Sequence, residues 1–156
     1  MNWLAFGVQW LHVLLGIVWF GYALTTTFLI APPLRTMPEA TLREIYGRLA
    51  GMGRRVFPIV GMGVLLLGIL RGTVFGQIDS FDDAFGTAYG LTWVLAMVLT
   101  IGLFVNGARN IGPAFEAVRE APDFAAAVDR LNAVTRVDLV LFFIIFTCMI
   151  LMRFGL

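Results

Sequence analysis

The chain predicts an all-α integral membrane protein, a four-helix bundle, and three observations carry that expectation. Apolar residues make up 60% of the 156 positions and charged residues only 13%, about half the charge that a soluble surface carries. Mean hydropathy is +0.89. Four stretches are long and apolar enough to cross ~30 Å of hydrocarbon, which takes roughly 20 helical residues, and no strand-like alternation separates them. This inventory excludes a soluble globule, a disordered chain and a disulfide scaffold. With 11 arginines, no lysine, 10 acids and a net charge of +1, it also lacks the basic field of a nucleic-acid binder.

The elements follow in order within a single transmembrane domain, 1–156. The first span, 3–30, carries no charge; it is too long for a signal peptide and lacks a basic leader and a small-residue cleavage site, so it reads as a helix of the mature protein. The second spans about 55–75, the third 88–108 and the fourth 136–154. Glycines within them, such as Gly16, Gly61 and Gly68, mark close approach of helices rather than breaks. Between spans one and two, Leu42, Ile45 and Leu49 share a face, with Glu39–Arg43 and Glu44–Arg48 at i, i+4. Thr36, Pro38 and Glu39 read as that helix's start. Asp123 opens a second amphipathic run through Phe124, Val128, Leu131 and Val134. Both runs are expected to continue into spans two and four as cytoplasmic helical extensions. Asn106, Gly107, Arg109 and Asn110 read as a cap that ends span three.

Arginine distribution sets an expected direction. Arg35, Arg43, Arg48, Arg54, Arg55, Arg109, Arg119, Arg130 and Arg136 fall in the two segments after spans one and three, against Arg71 and Arg153 on the other side. The positive-inside rule then puts both termini outside, in a bacterial cytoplasmic membrane.

His12 is the only histidine. It lies about nine residues into the first span, roughly 13 Å below the helix start at 1.5 Å per residue. An ionisable side chain at that depth faces the bundle interior and marks a functional candidate. Gln9, His12, Gly16, Trp19, Ala23 and Thr26 form a polar-and-small stripe around it, opposite Leu11, Leu14, Val18 and Leu29. Gly16, one turn below, leaves room beside the imidazole for something flat. Zinc or copper held by side chains needs three or four ligands, which one His, one Cys and scattered Met do not supply. Haem needs only one, because the porphyrin brings four nitrogens. The competing reading is a histidine hydrogen-bonded to a hydroxyl or carbonyl, linking helices.

Trp10-Leu-His12-Val, Ile17-Val-Trp19-Phe-Gly21, Arg54-Arg55 leading into Leu65-Leu-Leu-Gly68-Ile-Leu, Tyr89-Gly-Leu-Thr-Trp93 and Arg136-Val-Asp-Leu-Val resemble, in order across all four spans, the CopD-like membrane family. That group includes copper-resistance CopD proteins and HemJ-type protoporphyrinogen oxidases. The resemblance implies a bundle in which His12 ligates haem b. HemJ-type enzymes share a third-helix lysine that this chain lacks, and copper-handling CopD proteins are longer, with more His and Met.

A second axial ligand is sought in Met97, on a face with Trp93, Thr100 and Phe104, or in Met62; the alternatives are five-coordinate iron open to a small gas, or haem shared by two chains. Cys148 packs as a small hydrophobe or serves as a thiolate ligand. Arg71 and Arg153, with Tyr89 and Trp93, lie on the side that haem propionates would occupy. Asp138 is expected to pair with Arg109 or Arg54. The cofactor-binding candidates are thus His12, Gly16, Trp19, Trp93, Met97 and Arg71, with His12 on the iron and Met97 as the second ligand. The expected function is a membrane-embedded haem b protein with an electron-transfer, redox or gas-reactive role. The alternatives are a HemJ-like oxidase, a non-haem membrane scaffold and a CopD-like copper transporter. Expected partners are the lipid bilayer, a redox partner or quinone and a second copy of the chain, with no nucleic acid.

Overall fold

A computed structural model of the protein describes residues 2–34 and 36–156; Arg35, counted above among the nine clustered arginines, lies outside them. The described residues are helical and contain no strand. Four helices are long and apolar enough to cross a membrane, α1 (Trp3–Leu34), α2 (Glu39–Gly72), α4 (Ala88–Glu120) and α5 (Phe124–Arg153). A short α3 (Phe81–Gly86) lies between α2 and α4. Lateral packing runs α1 on α2, α2 on α4 and α4 on α5, with a lighter α1–α5 contact closing the bundle. Short connections make successive helices antiparallel, so one end holds both termini and the other holds the arginine-rich turns.

Local sequence explains the helix starts. The Asn2 side chain accepts from the amides of Leu4 and Ala5 at 3.1 and 3.2 Å. Thr87 does the same for Gly90, and Asp123 for Ala126 at 3.0 Å, as expected of residues that compete for helix ends. Thr36 does not cap: its hydroxyl donates to the Pro33 carbonyl, and α2 begins after Pro38. The amphipathic runs and the apolar spans that follow them are single helices, unbroken at Gly51 and Gly53.

Helix α4 departs from expectation. It does not end at Asn106–Asn110 but passes through a wide π turn, Gly107–Ile111, and continues to Glu120. An αL cap requires a positive φ, whereas Gly107 sits at φ −57°; the extra residue is absorbed by the wider turn. Helix α1 contains a second π turn at Thr25–Ile30.

Packing divides into two cores. At mid-bundle Trp19, Val60, Leu103 and Phe142 pack together. Trp19 meets Phe104 and Phe142 edge-on, at ring-centroid distances of 5.4 and 5.3 Å. Each such pair contributes about 0.5–1.5 kcal/mol beyond its buried area. Gly61 makes this approach feasible, since a Cβ there would stand 2.7 Å from Phe104 and 2.9 Å from Trp19. At the arginine-rich end Leu34, Leu42, Tyr46, Val118 and Leu131 form the second core. There Arg43 donates to the carbonyls of Val118, Arg119 and Ala121 while making the expected i, i+4 pair with Glu39 at 2.6 Å. The outer surface is apolar along the bundle: Ile17 is 63% exposed, Ile59 75% and Val140 59%. Water would penalise such a surface heavily, so it is consistent with a multi-pass protein in lipid.

Candidate functional site

Four of the six candidate residues converge on two turns of α2, Val64–Gly68–Arg71, toward the end that holds the termini. His12 reaches across from α1, and its Nδ1 lies 3.1 Å from the Val64 carbonyl. A carbonyl only accepts, so Nδ1 carries the proton and Nε2 is left with the lone pair. One turn further on, the Trp93 indole N–H from α4 donates to the Gly68 carbonyl at 3.3 Å. Gly68 is the contact point of all three helices: a Cβ there would stand 3.1 Å from Met97 Cε and 3.2 Å from His12 Cε1. At Gly72 a Cβ would run into the Trp93 ring. The two glycines let the imidazole, the indole and the thioether close on the α2 backbone.

Arg71 completes the cluster. Its Nε donates to Gln9 Oε1 at 2.7 Å, and its guanidinium also donates to the Phe75 carbonyl, closing the turn after α2. The stripe expected from Gln9 and His12 therefore does face inward, and protein acceptors take two of the N–H groups of Arg71.

The other candidates lie apart. Trp19 belongs to the mid-bundle aromatic core, two turns from His12. Gly16 has no atom within 4 Å of where its Cβ would stand, so space remains one turn below the imidazole. Met62 is 48% exposed on the outer surface, and Cys148 is buried. No group of three or more His, Cys, Asp or Glu that would hold a bare metal ion occurs among the described residues.

The residues present suit haem in a limited sense. The Nδ1–H to carbonyl bond fixes the tautomer and ring orientation, which is how proteins present Nε2 to a metal, and Gly16 leaves room on one side. Met97 approaches the same point of Gly68 as His12. Arg71 keeps N–H groups beyond the two that Gln9 and Phe75 accept.

A second feature escaped sequence reasoning. A cavity of about 520 Å³ opens in the arginine-rich half of the bundle. Both π turns, Pro58 and seven aromatic side chains line it. Asp138 of α5, 8% exposed, lies on its wall. Neither Arg109 nor Arg54 pairs with it; Asn106 Nδ2 donates to its Oδ1 at 2.7 Å, and Arg54 pairs with Glu116 instead. The signal in the sequence was the acid inside the last apolar stretch, coupled with a polar Thr25-Thr-Thr run in the first.

Fold and site together define a four-helix, membrane-type bundle with an inward-facing histidine tied to a neighbouring helix. No family model matches the chain, and no curated protein or solved structure proves similar to it.

Proposed function

We propose that the protein is a multi-pass protein of a bacterial cytoplasmic membrane, termini outside, that binds haem b through His12 Nε2 and serves an electron-transfer, redox or gas-reactive role. The observation that carries the reading is the Nδ1–H bond to the Val64 carbonyl, because it leaves the imidazole in the tautomer a metal takes. Haem bound there would supply one-electron or gas chemistry. The chain's own part is to hold the ring: Val64 sets its tautomer, Gly68 sets its distance from α2, and Gly16 keeps the adjacent face clear. Met97, which meets His12 at Gly68, is the side chain that would serve as a second iron ligand. The arginine-rich ends of α2 and α5 would extend into the cytoplasm. A quinone or protein redox partner, and a second copy of the chain, are the partners such a role calls for.

The same bond favours a second reading, a histidine that links α1 to α2 in a non-haem scaffold. Purification in detergent from cells supplied with haem, followed by visible spectra before and after dithionite, separates the two. The haem reading expects a Soret band that His12→Ala abolishes. A monodisperse but colourless protein overturns it and leaves the linking role. A coloured protein that fails to oxidise protoporphyrinogen above the uncatalysed rate rules out a HemJ-like activity.

A further inference from the structure

The cavity in the arginine-rich half is a binding site in its own right, and its chemistry points to an occupant. Its volume, about 520 Å³, lies within the range of small-molecule sites. The Asp, Glu and Arg residues of its lining are Arg54, Glu116 and Asp138. Arg54 and Glu116 pair with each other where the cavity meets the surface, at 61% and 56% side-chain exposure. Asp138 is left as the one uncompensated charge of the lining.

Among the described residues no arginine reaches Asp138 within ion-pair distance. Its Oδ1 is engaged by Asn106, whose own Oδ1 accepts from Asn110 at 2.6 Å. Among the described residues none donates a hydrogen bond to Oδ2. A carboxylate at this depth is costly unless a cation meets it or a proton neutralises it. The same cavity is lined by Trp19, Tyr22, Phe57 and Phe142, aromatic rings of the kind that attract organic cations whose hydration shell is weak.

We propose that this cavity binds a lipophilic organic cation, an amine or onium group on an apolar or aromatic body, with the free oxygen of Asp138 as counter-charge and the aromatic walls as its cage. The proposal stands independently of haem at His12, which does not line the cavity. A small hydrated cation would forgo the aromatic contacts, and an anion would meet the unpaired carboxylate.

The test is equilibrium binding of labelled tetraphenylphosphonium to the purified full chain in a neutral detergent, corrected for protein-free micelles. Tetraphenylborate, of the same shape and opposite charge, runs in parallel. Saturable binding of the cation with at least tenfold weaker binding of the anion is expected. Asp138→Asn keeps the shape and the oxygen that Asn106 donates to, and should weaken cation binding at least tenfold. Ala50→Phe fills the cavity from α2 and should abolish saturable binding without altering the carboxylate. Equal binding of cation and anion, or undiminished cation binding in Asp138→Asn, overturns the proposal and leaves a merely apolar hollow. Cation binding that survives Ala50→Phe in a folded protein places the site elsewhere and overturns it too.

Discussion

Gly61→Ala offers the sharpest check on how the mid-bundle core is built. The substitution adds one methyl, 2.7 Å from Phe104 Cζ and 2.9 Å from Trp19 Cη2. To reach an ordinary contact of about 3.4 Å, both rings must retreat by several tenths of an ångström. Neither is free to do so, because Trp19 also packs edge-on against Phe142 and Phe104 sits against the same core. Overpacking of this kind costs about 1–3 kcal/mol, and loosening an aromatic pair costs a further ~0.5–1.5 kcal/mol. Alanine recovers about 1 kcal/mol of helix propensity over glycine, so the net expectation is a loss of roughly 1–3 kcal/mol. Gly102→Ala provides the control, since no atom lies within 4 Å of its added methyl; it should be neutral or up to about 1 kcal/mol stabilising. Both variants are read by unfolding in mixed micelles with increasing dodecyl sulfate, followed by tryptophan fluorescence. A Gly61→Ala protein as stable as Gly102→Ala would refute the close approach of α1, α2 and α4 at this level.

Arg43→Gln removes charged donors from three carbonyls at the end of α4, none of which the helix itself can satisfy. It should cost about 1.5–3 kcal/mol in the same assay, and Arg43→Lys should not restore the loss, since one ammonium cannot span the fork. Arg48→Gln breaks only an exposed pair, 80% and 64% accessible, and should stay within about 0.5 kcal/mol. In the turn before α4, the Ser80 hydroxyl and the Asp79 amide donate to Asp83 Oδ2 at 2.8 and 3.1 Å and hold its carboxyl below the usual carboxylate range. Because the folded value is depressed, its contribution is present above the ordinary value near 4 and lost as pH falls through the lowered one. A ¹³C titration of the carboxyl should show the midpoint rise in Ser80→Ala; an unchanged midpoint would show that the serine does not hold it.

The four helices were legible because hydropathy and length are additive along the chain: every residue of an apolar stretch votes the same way, and the Asp123 start agrees. The inward face of α1 was legible for a related reason, since Gln9 and His12 are polar exceptions at helical spacing. What His12 touches was not, because its partner atom is the backbone carbonyl of Val64, as that of Trp93 is the carbonyl of Gly68, and a carbonyl has no letter in the sequence. The contacts of Arg71 were equally hidden: its Nε donates to Gln9 and a terminal nitrogen to the Phe75 carbonyl. Asp138 misled, because its partner is a neutral asparagine 32 positions away rather than an arginine. Charge complementarity suggested the arginines, and geometry chose Asn106.

The cavity has a physical origin in the backbone, which sequence patterns of apolar residues do not convey. A helix in lipid keeps its hydrogen bonds intact unless something else satisfies the freed groups or the irregularity faces a protein interior. Three of the four long helices break that regularity around one level of the bundle: α1 at Thr25–Ile30, α4 at Gly107–Ile111 and α2 at Pro58. All three irregular segments contribute residues to the cavity wall. Each widens or loosens its helix, and glycine or alanine at Gly53, Ala50, Gly107 and Ala108 leaves the widened space unfilled. Helix α5 is regular there and supplies the carboxylate. Isolated π turns would be tolerable accidents, but π turns are frequent at functional sites because they cost regularity. Two of them with a proline around one buried acid are hard to account for by packing, since leucines at the small positions would have filled the space and stabilised the bundle. The arrangement is the one expected where the bundle retains room for a ligand.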